Sequence, residues 1–491
     1  PHLAHRPLRF ALLLIALVSL IFIPSIGQTD TDPAAASDDL RGPEGRPVQT
    51  GAALARRGDL PAFGMSVIHF ENQDVAKARQ VGAGSILVGL YWSDIEPVRT
   101  DPPTYNWATA DRNIGIAVNN GLEPFILITG NPSWADFGPH RILTADGRNR
   151  LAQMAAAAAQ RYQTIYPGRV RMWSFYNEPD CNGPTNSPPL AVPVPSSCYG
   201  EFGGEYTKML QAVYPALKAA DPNALVAMGG LAFDNFGGPG TFSRRFLDDV
   251  LATGGAGYFD LMNFHYYTGF RHVWNPYGPD VIGKTNYIRG VMAAYGVDKP
   301  IVLTEIGEPA ARSAGREASQ ADYVIQGLAR AFAAGIDLVL WYEMVDAPGT
   351  PDGFGLIAAN GAPKPGYTAY QVLSQKVTGL TSSGSPWTDF PGIEAYSFRS
   401  GDGSRWEVVA WSADGATRTM RVPGDRVIRT ERTCAATMIR DADDGQIDGV
   451  VTVGVGSSPV ILDLVVPAGG TNPWTAAHRV LLPLAGRSAC S

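Results

Sequence analysis

Little charge, few cysteines and few histidines mark this chain of 491 residues, and each shortage removes a class of function. Only 17% of the residues are charged, and acidic side chains outnumber basic ones by 46 to 39, a net charge of -7. No basic tract is present, so nothing neutralises a phosphate backbone and no nucleic-acid partner is expected. The seven histidines are scattered, no H-E-x-x-H occurs, and the four cysteines form no paired C-x-x-C. That pattern offers no metal constellation, and neither metal nor cofactor is expected. The absence of G-x-S-x-G disfavours a serine hydrolase. Gly278-Pro279-Asp280-Val281-Ile282-Gly283-Lys284-Thr285 matches a phosphate loop, but polar and aromatic Arg271–Tyr277 precedes it instead of a buried strand, so the match is read as coincidence. No internal repeat is apparent.

What is there is an ordinary globular composition, 45% hydrophobic, with strand and helix signals in alternation. Near-continuous apolar runs occupy 62–70, 85–91, 123–129, 169–176, 224–231, 258–265, 300–305 and 337–342. Such runs fit strands buried on both faces. Helical stretches lie between them: Arg148–Ile165 with its alanine run, Glu205–Ala220 ending before Asp221-Pro222, and Gln320–Ala334 ending at Gly335. Eight strands with intervening helices predict an α/β (β/α)8 TIM barrel over 60–377. An open doubly wound sheet fits less well, because no glycine-rich turn follows the first strand. Beyond Thr378, short strand-like runs at Ile393–Arg399, Arg405–Ser412, Thr417–Val422, Ala436–Arg440, Val450–Val453 and Val460–Val466 predict a small antiparallel β-sandwich over 378–468.

The remaining segments carry processing and anchoring signals. Arg6 and Arg9 precede Phe10–Ile23, an apolar run of 14 residues broken only by Ser19. It is short for a membrane span and suits a signal-peptide core over 1–27, with an uncleaved membrane tether as the alternative. Either reading makes the protein secreted, or anchored and facing the extracytoplasmic side. Residues 28–59 read as a disordered linker and 469–491 as a C-terminal tail. Cys181 and Cys198 bracket a loop with five prolines, and a disulfide there would pin it. Cys434 and Cys490 would then pair by default. Four cysteines allow three pairings, and free or buried thiols are the alternative.

Two glutamates stand out. Glu178 closes the fourth strand run and Glu305 the seventh. A carboxylate at the end of a buried strand is costly without partners or work to do, and two of them at one rim suggest an acid and a nucleophile for glycoside hydrolysis. In such a barrel chemistry sits where strands end. Those ends supply His69, Trp92 and Glu96, Trp134, Asn177, His265 and Tyr267, and Trp341. Indoles that stack on sugar faces and polar groups that bind hydroxyls make a carbohydrate pocket. Glu96 is expected to cap or bridge structurally, while His69, Glu308, Glu343 and Asp346 could line subsites.

Trp92-Ser93-Asp94-Ile95-Glu96-Pro97, Asn131-Pro132-Ser133-Trp134-Ala135, Asn177-Glu178-Pro179, His265-Tyr266-Tyr267, Thr304-Glu305-Ile306-Gly307 and Trp341-Tyr342 fall in one order along the chain. Together with Phe354-Gly355-Leu356 and Lys364–Tyr370, they resemble the retaining clan A glycoside hydrolases, of the family 39 or family 5 type. The resemblance implies that Glu178 is the general acid/base and Glu305 the nucleophile, their carboxyls about 5–5.5 Å apart. It implies that Asn177 bonds the substrate 2-hydroxyl, that Tyr267 donates to Glu305, and that Trp341 floors the sugar. Glu178 should be kept protonated by burial and a neighbouring anion, with Glu305 ionised through hydrogen-bond donors. Many relatives carry an arginine five residues before the motif tryptophan; here that position is Leu87, so another donor must serve. The expected substrate is a β-linked oligo- or polysaccharide. Transglycosylation through the same intermediate, or a silent carbohydrate-binding surface protein, are the alternatives. Sugar, linkage, exo or endo action and oligomeric state are not legible.

Overall fold

The structure, a computed structural model, describes residues 60–68, 70–138, 140–182, 198–236, 241–310, 314–348, 353–383 and 390–464. The expected signal segment, linker and tail, together with His69 and Cys490, lie outside them. Eight strands form one parallel sheet: β1 Phe63–Met65, β2 Ser85–Tyr91, β3 Glu123–Thr129, β4 Met172–Phe175, β5 Leu225–Ala227, β6 Met262–Tyr267, β7 Ile301–Gly307 and β8 Leu338–Trp341. Their order is β5-β4-β3-β2-β1-β8-β7-β6, and the bridges Ala227 to Leu261 and Leu231 to Phe264 close β5 onto β6. The molecule is a (β/α)8 barrel.

Eight helices alternate with these strands: α1 Asn72–Gln80, α2 Ala108–Asn119, α3 Ala145–Ile165, α4 Gly203–Ala220, α5 Phe246–Ala252, α6 Val281–Ala294, α7 Ala314–Ala333 and α8 Pro365–Val377. The alanine-rich α3 starts at Thr144, whose Oγ1 accepts from the amide of Gly147 at 2.9 Å and satisfies one of the donors a helix start leaves open. Along each strand, side chains alternate between two cores. Phe125, Met172, Ala227, Val302, Leu338 and Leu340 fill the barrel interior. Leu303, Phe264, Trp173 and Trp341 face outward and pack with helix residues such as Leu151, Leu210 and Val324.

One break in this alternation matters for the site. The register between β6 and β7 shifts, with Phe264 opposite Leu303 but His265 opposite Glu305. Thr304 is the extra residue, a β-bulge of the kind that re-aims side chains. Both Thr304 and Glu305 consequently meet side chains of β6.

The C-terminal strands are β9 Thr381–Ser382, β10 Ile393–Arg399, β11 Trp406–Ser412, β12 Arg418–Pro423, β13 Arg426–Glu431, β14 Ala436–Arg440, β15 Val450–Val455 and β16 Val460–Leu464. Six form an antiparallel sheet in the order β9-β10-β11-β16-β13-β14, and β12 pairs with β15. The two sheets share one core of Ala395, Val408, Met420, Val427, Val453 and Leu462. Strand β13 had no counterpart among the runs read from the sequence, and the short β9 was also missed. The outer face meets the barrel: Tyr396 and Trp411 join the main core, Arg330 of α7 clasps Glu394 with bonds of 2.7 Å, and Lys376 of α8 pairs with Asp463 at 2.7 Å.

Candidate active site

Glu178 sits just past β4 on a backbone that turns through the left-handed region, with φ of 65° at Tyr176 and 47° at Glu178. Non-glycine residues there carry a strain of order 1–3 kcal/mol that the surroundings must hold. Here the Tyr176 hydroxyl donates to Asn131 Oδ1 at 2.8 Å. On the other side, Asp180 Oδ2 accepts from the amides of Ala232 at 3.0 Å and Phe233 at 2.9 Å. The turn is thereby pinned at both ends, and the Glu178 carboxyl is buried inside the barrel mouth.

Glu305 approaches from β7. Its Oε2 accepts from the Tyr267 hydroxyl at 2.5 Å and lies 3.5 Å from His265 Nδ1. The same ring nitrogen lies 3.0 Å from Glu178 Oε1. One oxygen from each glutamate and one nitrogen of His265 all lie within 4.8 Å of one another, and all three residues are buried. His265 fits because residue 230 is glycine: a Cβ there would stand 2.0 Å from His265 Nε2.

Burial raises both carboxyls. Glu178 is pushed up to about 7, against a counter-effect from the Lys284 cation. Glu305 is raised by burial and by Glu178, while His265 and the Tyr267 hydroxyl pull it down. Burial alone therefore accounts for the rise at Glu178, and the neighbouring anion acts on Glu305 instead. Burial also lowers His265, while the Glu305 carboxylate opposes that shift.

The other residues read from the sequence separate into two groups. Tyr267 joins the pair, and half-buried Asn177 adjoins Glu178 in the chain. Trp341 does not join: its ring faces outward toward Tyr323 of α7, with centroids 6.3 Å apart. Tyr342, one residue on, packs with Tyr267 and Phe354 in its place, at centroid distances of 6.1 and 5.8 Å. Trp92 is wholly buried, its Nε1 donating 3.0 Å to Glu96 Oε2 and Glu96 in turn held by Arg150. Trp134 is half-buried, edge-on to Trp92 at 5.3 Å. Glu308 accepts from the Thr268 hydroxyl, and Asp346 pairs with Lys364 at 2.8 Å. Leu87 packs into the barrel interior. Tyr267 is the donor at Glu305.

Two features went unseen in the sequence. Lys284, in the segment set aside as a chance phosphate loop, is fully buried beside Asp234 at 3.2 Å, with the rings of Phe233 and Trp274 5.1 and 5.2 Å away. A hairpin of Asp136–Phe137 and Ile142–Leu143 follows β3. Its His140 exchanges bonds with Cys198, at 3.0 Å through the ring and 3.1 Å through the backbone. Cys198 is disulfide-bonded to Cys181, which ties the hairpin to the loop after Glu178. Cys434 is disulfide-bonded too.

No family model matches the chain, and no curated protein sequence is similar to it. Solved structures are. A family 39 glycoside hydrolase from the gut symbiont Bacteroides cellulosilyticus WH2 aligns over 82% of this chain and 80% of its own, with TM-score 0.63 and 20% identity. A family 39 enzyme from Xanthomonas axonopodis pv. citri aligns over 84% and 95%, with TM-score 0.55 and 16% identity. A monomeric β-xylosidase from Caulobacter crescentus CB15 aligns over 84% and 97%, with TM-score 0.54 and 16% identity. The chain shares its fold with family 39 glycoside hydrolases.

Proposed function

We propose that the protein is an extracytoplasmic glycoside hydrolase that cleaves a β-linked saccharide with retention of configuration. The observation that carries the reading is the separation of the two buried carboxyls, an oxygen of each lying within 4.8 Å of the other. A nucleophilic pair needs about 5–5.5 Å, whereas an inverting pair must stand roughly 6.5–9.5 Å apart to admit a water. The similar structures that are glycoside hydrolases, one of them a β-xylosidase, support the substrate class. The Cys181–Cys198 disulfide and the apolar segment Phe10–Ile23 support export. Residues 60–377 would be the catalytic barrel and 378–468 a companion that braces its helices.

In this reading Glu305 Oε2 attacks the anomeric carbon while Glu178 gives its proton to the departing glycosidic oxygen. The C–O bond to the leaving group breaks and a glycosyl ester to Glu305 forms. Glu178, now ionised, takes a proton from water, whose oxygen attacks the same carbon and releases Glu305. Burial supplies the protonated Glu178 that the first step needs. Tyr267 holds Glu305 and stabilises its charge. Asn177 would bond the 2-hydroxyl, and the aromatic face beneath the sugar would come from Tyr342.

A panel of defined aryl β-glycosides and β-oligosaccharides, followed by NMR of the first-formed anomer, tests this. The β-anomer is expected first; an α-anomer would overturn the retaining mechanism.

A further inference from the structure

The proton that Glu178 must deliver is held by a relay behind it. Asn263 of β6 is buried, and two contacts fix its amide orientation: Nδ2 donates to the Met228 carbonyl at 3.2 Å, and Oδ1 accepts from the Thr304 amide at 3.2 Å. The Thr304 hydroxyl lies 3.0 Å from the same Oδ1, which carries no hydrogen, so the hydroxyl donates. Its only proton is thereby used. His265 Nε2, 3.1 Å from that hydroxyl oxygen, must be the donor in this contact. A neutral ring with its proton on Nε2 presents a bare Nδ1, and Nδ1 faces Glu178 Oε1 at 3.0 Å. In that neutral form two acceptors face each other at hydrogen-bond distance, and Glu178 supplies the proton between them.

We propose that Asn263 and Thr304 are positioning residues that lock His265 in its Nε2–H form, so that Nδ1 keeps the transferable proton on Glu178. The inference rests on the reading of Glu178 as the acid. The bulge in β7 makes it available, because it lets Thr304 meet the His265 ring while Glu305 meets Tyr267. The other groups acting on or near Glu178 are Asp180 on its own turn, Lys284 on α6, Tyr267 on β6, Glu305 on β7 and Tyr342 after β8. None of these contacts Nε2, so a change at Thr304 reads out the relay.

The test uses the full chain labelled with 15N-histidine, the His265 signal being the one lost in His265→Gln. Wild type is expected to show the Nε2–H tautomer at neutral pH. Thr304→Val removes the acceptor that faces Nε2–H among the described residues and should turn the ring to Nδ1–H, which donates to ionised Glu178. The basic limb of kcat/KM should then move down by about one pH unit, as expected for one hydrogen bond transferred to the charged form. Turnover of substrates with poor leaving groups should fall at least about tenfold, while activated aryl glycosides that need no acid stay near wild type. Thr304→Ser keeps the hydroxyl and should restore the wild-type tautomer and profile. An Nδ1–H tautomer in the wild type overturns the proposal, as does a Thr304→Val protein with both tautomer and basic limb unchanged. The wild-type spectrum decides even where the valine variant does not fold. Should Glu178→Gln leave poor-leaving-group turnover intact, the acid assignment fails, while the tautomer remains readable by itself.

Discussion

Glu178→Gln should make the protein more stable at alkaline pH. Burial raises the Glu178 carboxyl from 4.5 to about 7. A group raised in the folded state stabilises it fully below the unfolded value, and that contribution is lost as pH rises through the folded value. A rise of about 2.5 units corresponds to roughly 3.4 kcal/mol well above pH 7, at about 1.36 kcal/mol per unit. At about pH 5 the same linkage leaves a penalty of roughly 0.8 kcal/mol, so the swing between about pH 5 and pH 8.5 is about 2.5 kcal/mol. Glutamine cannot ionise and escapes this penalty. Asp180 and Asp234, each pushed up to about 7, titrate in both proteins and largely cancel in the difference. Urea denaturation of wild type and variant at the two pH values reads the quantity directly. The variant should gain about 2.5 kcal/mol on wild type between the lower and the higher pH, with unchanged m-value. A stability difference independent of pH would refute the claim that Glu178 is held protonated by burial.

Three further outcomes follow from the geometry. Tyr267→Phe removes the donor that pulls Glu305 down, so the acid limb of kcat/KM should move to higher pH and the rate should drop roughly a hundredfold; an unmoved limb would count against the role. Lys284→Met removes the cation that lowers Glu178, so the basic limb should shift upward. The same change strands buried Asp234 and should cost about 3 kcal/mol near pH 8, read by denaturation; wild-type stability with a fixed limb would refute both effects. Replacing Cys181 and Cys198 with serine opens a loop with a sequence separation of 17 and should cost about 3 kcal/mol, and an unchanged denaturation midpoint would show that the loop is held by other means.

The barrel was legible because parallel strands buried on both faces leave unbroken apolar runs, and all eight appear where such runs lie. Strand β13, Arg-Val-Ile-Arg-Thr-Glu, has no such run: it is half-buried, with Val427 and Ile428 its two apolar residues, and reads as loop. The position of the two glutamates followed from strand ends. The facing of their neighbours did not, although period-two alternation was enough for one of them. With Leu338 and Leu340 inside, Trp341 must face the helices and Tyr342 the mouth. The β7 bulge breaks that same rule at Thr304, and no residue type in Leu303-Thr304-Glu305 announces it. Lys284 was hidden for another reason, because a lysine on a helix reads as solvated until three-dimensional packing brings Asp234 and three rings around it.

The covalent step is the centre of the account, and trapping it is the most direct test. An activated 2-deoxy-2-fluoro β-glycoside of the preferred sugar, incubated with the protein, should add one sugar mass to the intact chain. Peptide mapping should place that mass on Glu305, and Glu305→Ala should take up none. A label on any other residue, or turnover that survives Glu305→Ala undiminished, would contradict it.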